Sequence, residues 1–141
     1  MAGFLHDWVT KALTDWKPGT LTNEIEYHKS AEAFLRGKFP EARIEREYRH
    51  EGTTADLFVT QKIALFFTHK VFIEAKRNLK QKKDFDRLVG QVAGLGPGKN
   101  AIIILLCGET EMRWVDRLKE QYADQLGDRL VEAGMSIVVV K

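Results

Sequence analysis

Two carboxylates and a lysine stand inside or at the end of otherwise apolar runs. Asp56 interrupts Ala55-Asp56-Leu57-Phe58-Val59, and Glu74 and Lys76 close Val71-Phe72-Ile73-Glu74-Ala75-Lys76. Short runs of this composition read as strands. Strand side chains alternate between faces, so Glu74 and Lys76 point the same way. If the two strands are neighbours, Asp56 meets them on that face. Carboxylates brought together at the end of a sheet repel each other. A divalent cation between them removes that penalty, and hard oxygen ligands suit Mg²⁺ or Mn²⁺. The Lys76 ammonium can then hold an attacking water or offset charge developing on a phosphate. The plain alternative is an ion pair at a strand edge, and spacing alone leaves both readings open.

The elements that must position these groups follow from periodicity. Phe4, Leu5, Trp8, Val9, Ala12, Leu13 and Trp16 form one apolar stripe on a short helix, stopped by Pro18-Gly19. Thr22 or Asn23 suits an N-cap for a second helix running to about Lys38, with Ile25, Ala31, Phe34 and Leu35 as apolar positions. Strands are expected over Ala42–His50, Ala55–Thr60 and Val71–Ala75, with Ile63–Phe67 as a hairpin arm. A helix follows over Asp84–Leu95, burying Phe85, Leu88, Val89, Val92 and Leu95. Ala101–Leu106 reads as a strand covered on both faces. Glu111–Leu126 reads as a helix with Met112, Val115, Leu118 and Tyr122 inward, and Ile137–Val140 as a last buried strand. The order α-α-β-β-β-α-β-α-β predicts an α/β mixed sheet flanked by helices.

Asp56, then Glu74-Ala75-Lys76, then Gln91 within Asp86-Arg87-Leu88-Val89-Gly90-Gln91-Val92 resembles the PD-(D/E)XK superfamily, the restriction-endonuclease-like fold. The resemblance covers about Asn23 to Leu106 and matches the family's αβββαβ core, here with an added N-terminal helix and a C-terminal αβ unit. Thr54-Ala55 stands where the motif's proline would be, and the long stretch between Asp56 and Glu74 fits a hairpin extension. The resemblance implies that Asp56 and Glu74 ligate a metal, with the Ala75 backbone carbonyl as a third ligand. Lys76 would position or activate water, and Gln91 would orient the site or touch the nucleic-acid backbone. It also implies a further acid from the first core helix. Glu24 and Glu26 are the candidates, and Glu24 is preferred because it shares a face with His28, Ala31 and Leu35. A first-turn glutamate favoured by the helix dipole is the bland account of either.

The rest of the sequence bounds this reading. The 141 residues are enough for one domain, taken here as 1–141, and 44% hydrophobic with 30% charged residues excludes a disordered chain. The net charge of +2 alone says little about partners. The local run Lys76, Arg77, Lys80, Lys82 and Lys83 says more. Beside a metal site it suits phosphate contacts, which position nucleic acid without reading its sequence; away from one it is a solvated loop. Gly94–Asn100 fails as a phosphate loop: Ala93 stands where the first glycine belongs, and the order is helix to strand. His6, His28, His50 and His69 lack zinc spacing, and only His28, if it faces Glu24, holds interest. Cys107, within an apolar strand, is expected to be a buried thiol. No apolar run reaches membrane-spanning length and no secretory signal opens the chain, so an intracellular (cytoplasmic) location is expected. The Trp8–Trp16 helix is expected to pack on its own domain, with a homodimer contact as the second reading.

These readings together predict a metal-dependent endonuclease that hydrolyses DNA with Mg²⁺ or Mn²⁺, RNA not being excluded. The rival is a non-catalytic nucleic-acid or protein-binding module on the same fold.

Overall fold

A computed structural model describes residues 4–65, 67–127 and 134–140. The elements are α1 (Phe4–Asp15), α2 (Glu24–Lys38), β1 (Arg43–His50), β2 (Thr53–Ala64), β3 (Phe67–Arg77), α3 (Lys82–Gly94), β4 (Ala101–Cys107), α4 (Met112–Gln121), α5 (Ala123–Gly127) and β5 (Met135–Val139). The side chains of Phe4 and Ile63, and residue Phe66, all used in the sequence reading, lie outside the described residues. Among the described residues no helix is long and apolar enough to cross a membrane.

The described strands form one five-stranded sheet in the order β1-β2-β3-β4-β5. β1, β2 and β3 pair antiparallel, whereas β3, β4 and β5 pair parallel. Helices cover both faces, as the element order predicts. On one face Leu5, Val9 and Leu13 of α1 and Trp16 just after it, with Tyr27, Ala31 and Leu35 of α2, pack on Leu57, Val59, Val71, Ile73, Ile103 and Leu105. On the other, Phe85, Leu88 and Val92 of α3, with Trp114, Val115 and Leu118 of α4, pack on Phe58, Phe72, Ile102, Ile104 and Leu106. This two-sided cover explains why every residue of β4 is apolar and buried.

Local chemistry sets the boundaries that matter for the site. Asn23 is the α2 N-cap, with its side-chain oxygen accepting from the Glu26 N–H at 2.9 Å. The Glu26 carboxylate turns back to accept from the Asn23 side chain at 3.2 Å and from Thr22, a reciprocal arrangement that spends Glu26 on the cap. The close seating of α3 on β2 needs a glycine, because a Cβ added at Gly94 would overlap the Thr53 side chain.

Several expectations are corrected in detail. The predicted Glu111–Leu126 helix divides into α4 and α5 at Tyr122 (φ −116°, ψ 28°), whose ring is buried. The apolar stripe runs on across the break, which hides it from periodicity. Met112, expected inward, and the apolar Ile25 are exposed in first turns, and Trp8 is half-exposed on the flank of α1. The last strand starts at Met135, and as a sheet edge it leaves Val139 exposed. Lys82 and Lys83 open α3 and are not in a loop.

Candidate metal centre

The centre forms where two strands part. The β2–β3 ladder runs from the hairpin to Leu57↔Ile73 and stops there, one step before Asp56 would face Glu74. On its other side, the β1–β2 ladder holds Arg46↔Leu57 and Tyr48↔Ala55 but skips Glu47 and Asp56. Glu47 adopts φ 54°, left-handed backbone that a residue with a Cβ rarely takes. Thus Asp56 lies outside both ladders. Beyond it β2 stays with β1, while the end of β3 stays with β4. The Asp56 side chain bridges the gap: its Oδ2 accepts the Ala75 N–H at 2.7 Å. This bond gives a strand N–H the partner that the parted ladder no longer supplies.

Glu74 sits within that gap, with no solvent exposure. Neither of its carboxylate oxygens makes a well-formed hydrogen bond, although the Asp56 side chain and backbone N–H lie close enough to act on it. Burial, then the adjacent Asp56 carboxylate, then the charge of Glu24 push its carboxyl up to about 10. With no cation present Glu74 is therefore protonated at neutral pH, since adjacent desolvated carboxylates cannot all ionise.

α2 supplies the other side. Glu24 and His28 are one helical turn apart, and each offers an atom within 4.8 Å of the others in a group with Asp56. His28 Nε2 lies 3.7 Å from Asp56 Oδ2, too far for a hydrogen bond. That nitrogen is buried and has no partner. The Glu24 carboxyl is raised chiefly by burial; the Lys76 charge opposes this, Asp56 adds to it, and His28 opposes it. Lys76 is thus close enough to act on the acids, and it also pairs with Asp84 of α3 at 3.7 Å.

The sequence-predicted residues therefore do not all meet. Asp56, Glu74, Lys76 and Glu24 are brought together, while Glu26 is held in the helix cap. Ala75 contributes its N–H to Asp56. Gln91 is exposed on α3, whose buried face is Phe85, Leu88 and Val92, and it is not hydrogen-bonded to the carboxylates. In the basic run, Lys80 pairs with Glu109 at 2.7 Å and Lys82 with Asp86 at 2.7 Å, whereas Lys83 is exposed. Arg77 is half-buried and its Nε lacks a partner. Two participants were not assigned roles from sequence. His28 was detectable from its i, i+4 spacing to Glu24; Asp84, the partner of Lys76, carried no sequence signal beyond its place in a first helical turn.

These residues fit a divalent cation. Glu24, His28 and Asp56 form the group able to hold a cation, with Glu74 buried beside Asp56 but outside that group. The buried His28 nitrogen lacks a hydrogen bond, and such atoms are costly. An imidazole among carboxylates moves the preference from Mg²⁺ toward Mn²⁺ or a later transition metal. No family model, curated protein or solved structure matches the chain.

Proposed function

We propose that the chain, read as one domain over residues 1–141, is a metal-dependent nuclease of the PD-(D/E)XK kind that hydrolyses phosphodiester bonds in DNA. The observation that carries this reading is the group of Glu24, His28 and Asp56, with the fully buried Glu74 carboxyl set beside Asp56. A purely structural core would not gather three acids where strands part.

Asp56, Glu24, His28 and ionised Glu74 would hold Mg²⁺ or Mn²⁺, with the Ala75 carbonyl as a further oxygen donor. The cation supplies, when bound, positive charge against the scissile phosphate. Lys76, held by Asp84 at the edge of the acids, orients a water by hydrogen bonding and offsets negative charge as the phosphate becomes five-coordinate. Asp84 keeps that ammonium from collapsing onto the carboxylates. Arg77, Lys80, Lys82 and Lys83 contact backbone phosphates, exchanging their present carboxylate partners where they have them, and Gln91 touches the same backbone from α3. The intracellular location expected from sequence belongs to this proposal, as does a homodimer that cuts both strands.

The deciding assay offers linear, circular and single-stranded DNA, and RNA, with Mg²⁺ or Mn²⁺. Cleavage that chelator stops and that Glu74→Gln removes is the expected result. Equal cleavage by wild type and Glu74→Gln would discard the centre; metal-dependent binding without cleavage would favour the binding module.

A further inference from the structure

The opposite end of the same sheet carries a second concentration of charge. Thr68, His69 and Lys70 at the start of β3, Lys99 and Asn100 before β4, and His6 of α1 line a cavity of about 260 Å³. Lys70 and the metal centre's Lys76 are six residues apart on β3, or roughly 20 Å at strand rise. The two sites are therefore separate.

Among the described residues no carboxylate lines this cavity. Among the described residues, neither the Lys70 nor the Lys99 side chain forms an ion pair or hydrogen bond. Their neighbours are donors or neutral groups. His6, at 4% exposure, forms part of the buried side, where its Nε2 lies 3.0 Å from Ser136 Oγ. Asp7 is the carboxylate recorded nearby, 3.6 Å from His6 Nδ1, and it is largely in solvent. Two lysines lining one concave surface, with no counter-charge among the described lining residues, favour an anion.

The chemistry narrows the anion. Lysines act as point charges and select an anion by its charge density, as lysines that bind phosphate do. A phosphate monoester carries roughly −1.5 to −2 charge near neutrality, matching two lysines. The cavity falls just below the about 300–1,000 Å³ of sites that enclose drug-sized ligands, so it has room for a phosphate group with part of its carrier. We infer that the Lys70–Lys99 cavity binds a terminal phosphate group, carried by a small phosphorylated molecule or by a nucleic-acid end. This site does not depend on the nuclease reading.

The test is calorimetric titration of the full chain with inorganic phosphate in chelator, which removes cation-bridged binding at the acidic centre. Wild type and Asp56→Asn should bind alike, and Lys70→Ala/Lys99→Ala should bind about tenfold more weakly or worse. Both lysines are exposed, so the variant should fold, and its far-UV spectrum and melting curve check this. Competition then identifies the carrier. Displacement of phosphate by a 5′-phosphorylated but not a 5′-hydroxyl oligonucleotide points to a nucleic-acid end; displacement by a nucleoside monophosphate alone points to a small molecule. No phosphate binding by wild type at millimolar concentration, or equal binding by the double-lysine variant, overturns the inference.

Discussion

The two ends of β3 solve opposite electrostatic problems. At its C-terminal end, acids are withdrawn from water and the nearby lysines are already paired: Lys76 with Asp84, Lys80 with Glu109, Lys82 with Asp86. At its N-terminal end, Lys70 and Lys99 line a cavity with no carboxylate among the described residues. The net charge of +2 conceals this separation. Burial makes the difference consequential. A desolvated acid must be neutralised by a proton or a cation, whereas exposed lysines remain charged and simply attract. One end should therefore respond to cations and pH, and the other to anions.

The largest effect that could break this comparison is on cleavage. Asp56→Asn and Glu74→Gln should each lower the Mn²⁺-supported rate by about 10²–10³-fold or more, the scale seen when one stabilising group leaves a preorganised site. Lys70→Ala/Lys99→Ala should leave the rate on 5′-hydroxyl circular or linear DNA unchanged. A rate loss of equal size in the double-lysine variant would mean that the two ends form one site.

Cation affinity sharpens the acidic side. Glu24→Gln and His28→Ala should each weaken Mn²⁺ binding by at least about tenfold, and Glu26→Gln should change it little, because Glu26 serves the helix cap. Fluorescence or calorimetric titration separates them; a larger effect at Glu26 would place the ligands on the wrong face of α2.

A gentler probe is pH. In the unfolded chain the Glu74 carboxyl ionises near its ordinary value of 4.5, and in the folded chain only near 10. Between these values the folded state holds a proton that the unfolded state has lost. Its stabilising contribution is complete below 4.5 and declines as pH rises toward 10. In chelator, urea-melt stability should therefore fall with pH, by at most about 1.4 kcal/mol per unit for one proton. Glu74→Gln should flatten that slope, and wild-type Mn²⁺ affinity should rise with pH as the proton is displaced. A pH-independent difference between the two proteins would show that Glu74 does not titrate in this window.

The smallest effect is expected at Gln91. Its exposed position means that Gln91→Ala should alter stability by no more than about 0.5 kcal/mol. Any role in the nuclease must then appear as weaker DNA binding in a gel-shift or anisotropy assay. Unchanged affinity and rate would remove Gln91 from the proposal.

Much of the frame is legible in the chain because hydrophobic period reports burial directly. Leu5, Val9, Leu13 and Trp16 mark one helical face, and the unbroken β4 run marks a strand covered twice. Asp56 and Glu74 are conspicuous because each interrupts such a run. What periodicity cannot report is pairing. The two ladders that skip Asp56, the left-handed backbone at Glu47 and the Asp56–Ala75 bond depend on register between segments. The same limit hides the Lys76–Asp84 pair, which joins a strand to a helix. Trp8 misleads for another reason: a large ring on the flank of a stripe satisfies the period while remaining half in water.

The sheet's spatial order repeats its chain order, and this bears on how the molecule assembles. β1, β2 and β3 close through short turns, whereas joining β3 to β4 and β4 to β5 requires helical crossovers. Chain-closure entropy favours the short loops first, so the meander should be structured in the folding transition state before the parallel half docks. Asp56 and Glu74 both lie in that early half. The proton uptake that lets Glu74 pack beside Asp56 then falls on the folding limb of a chevron. Refolding should slow as pH rises, unfolding should respond less, and Glu74→Gln should refold faster than wild type at neutral pH.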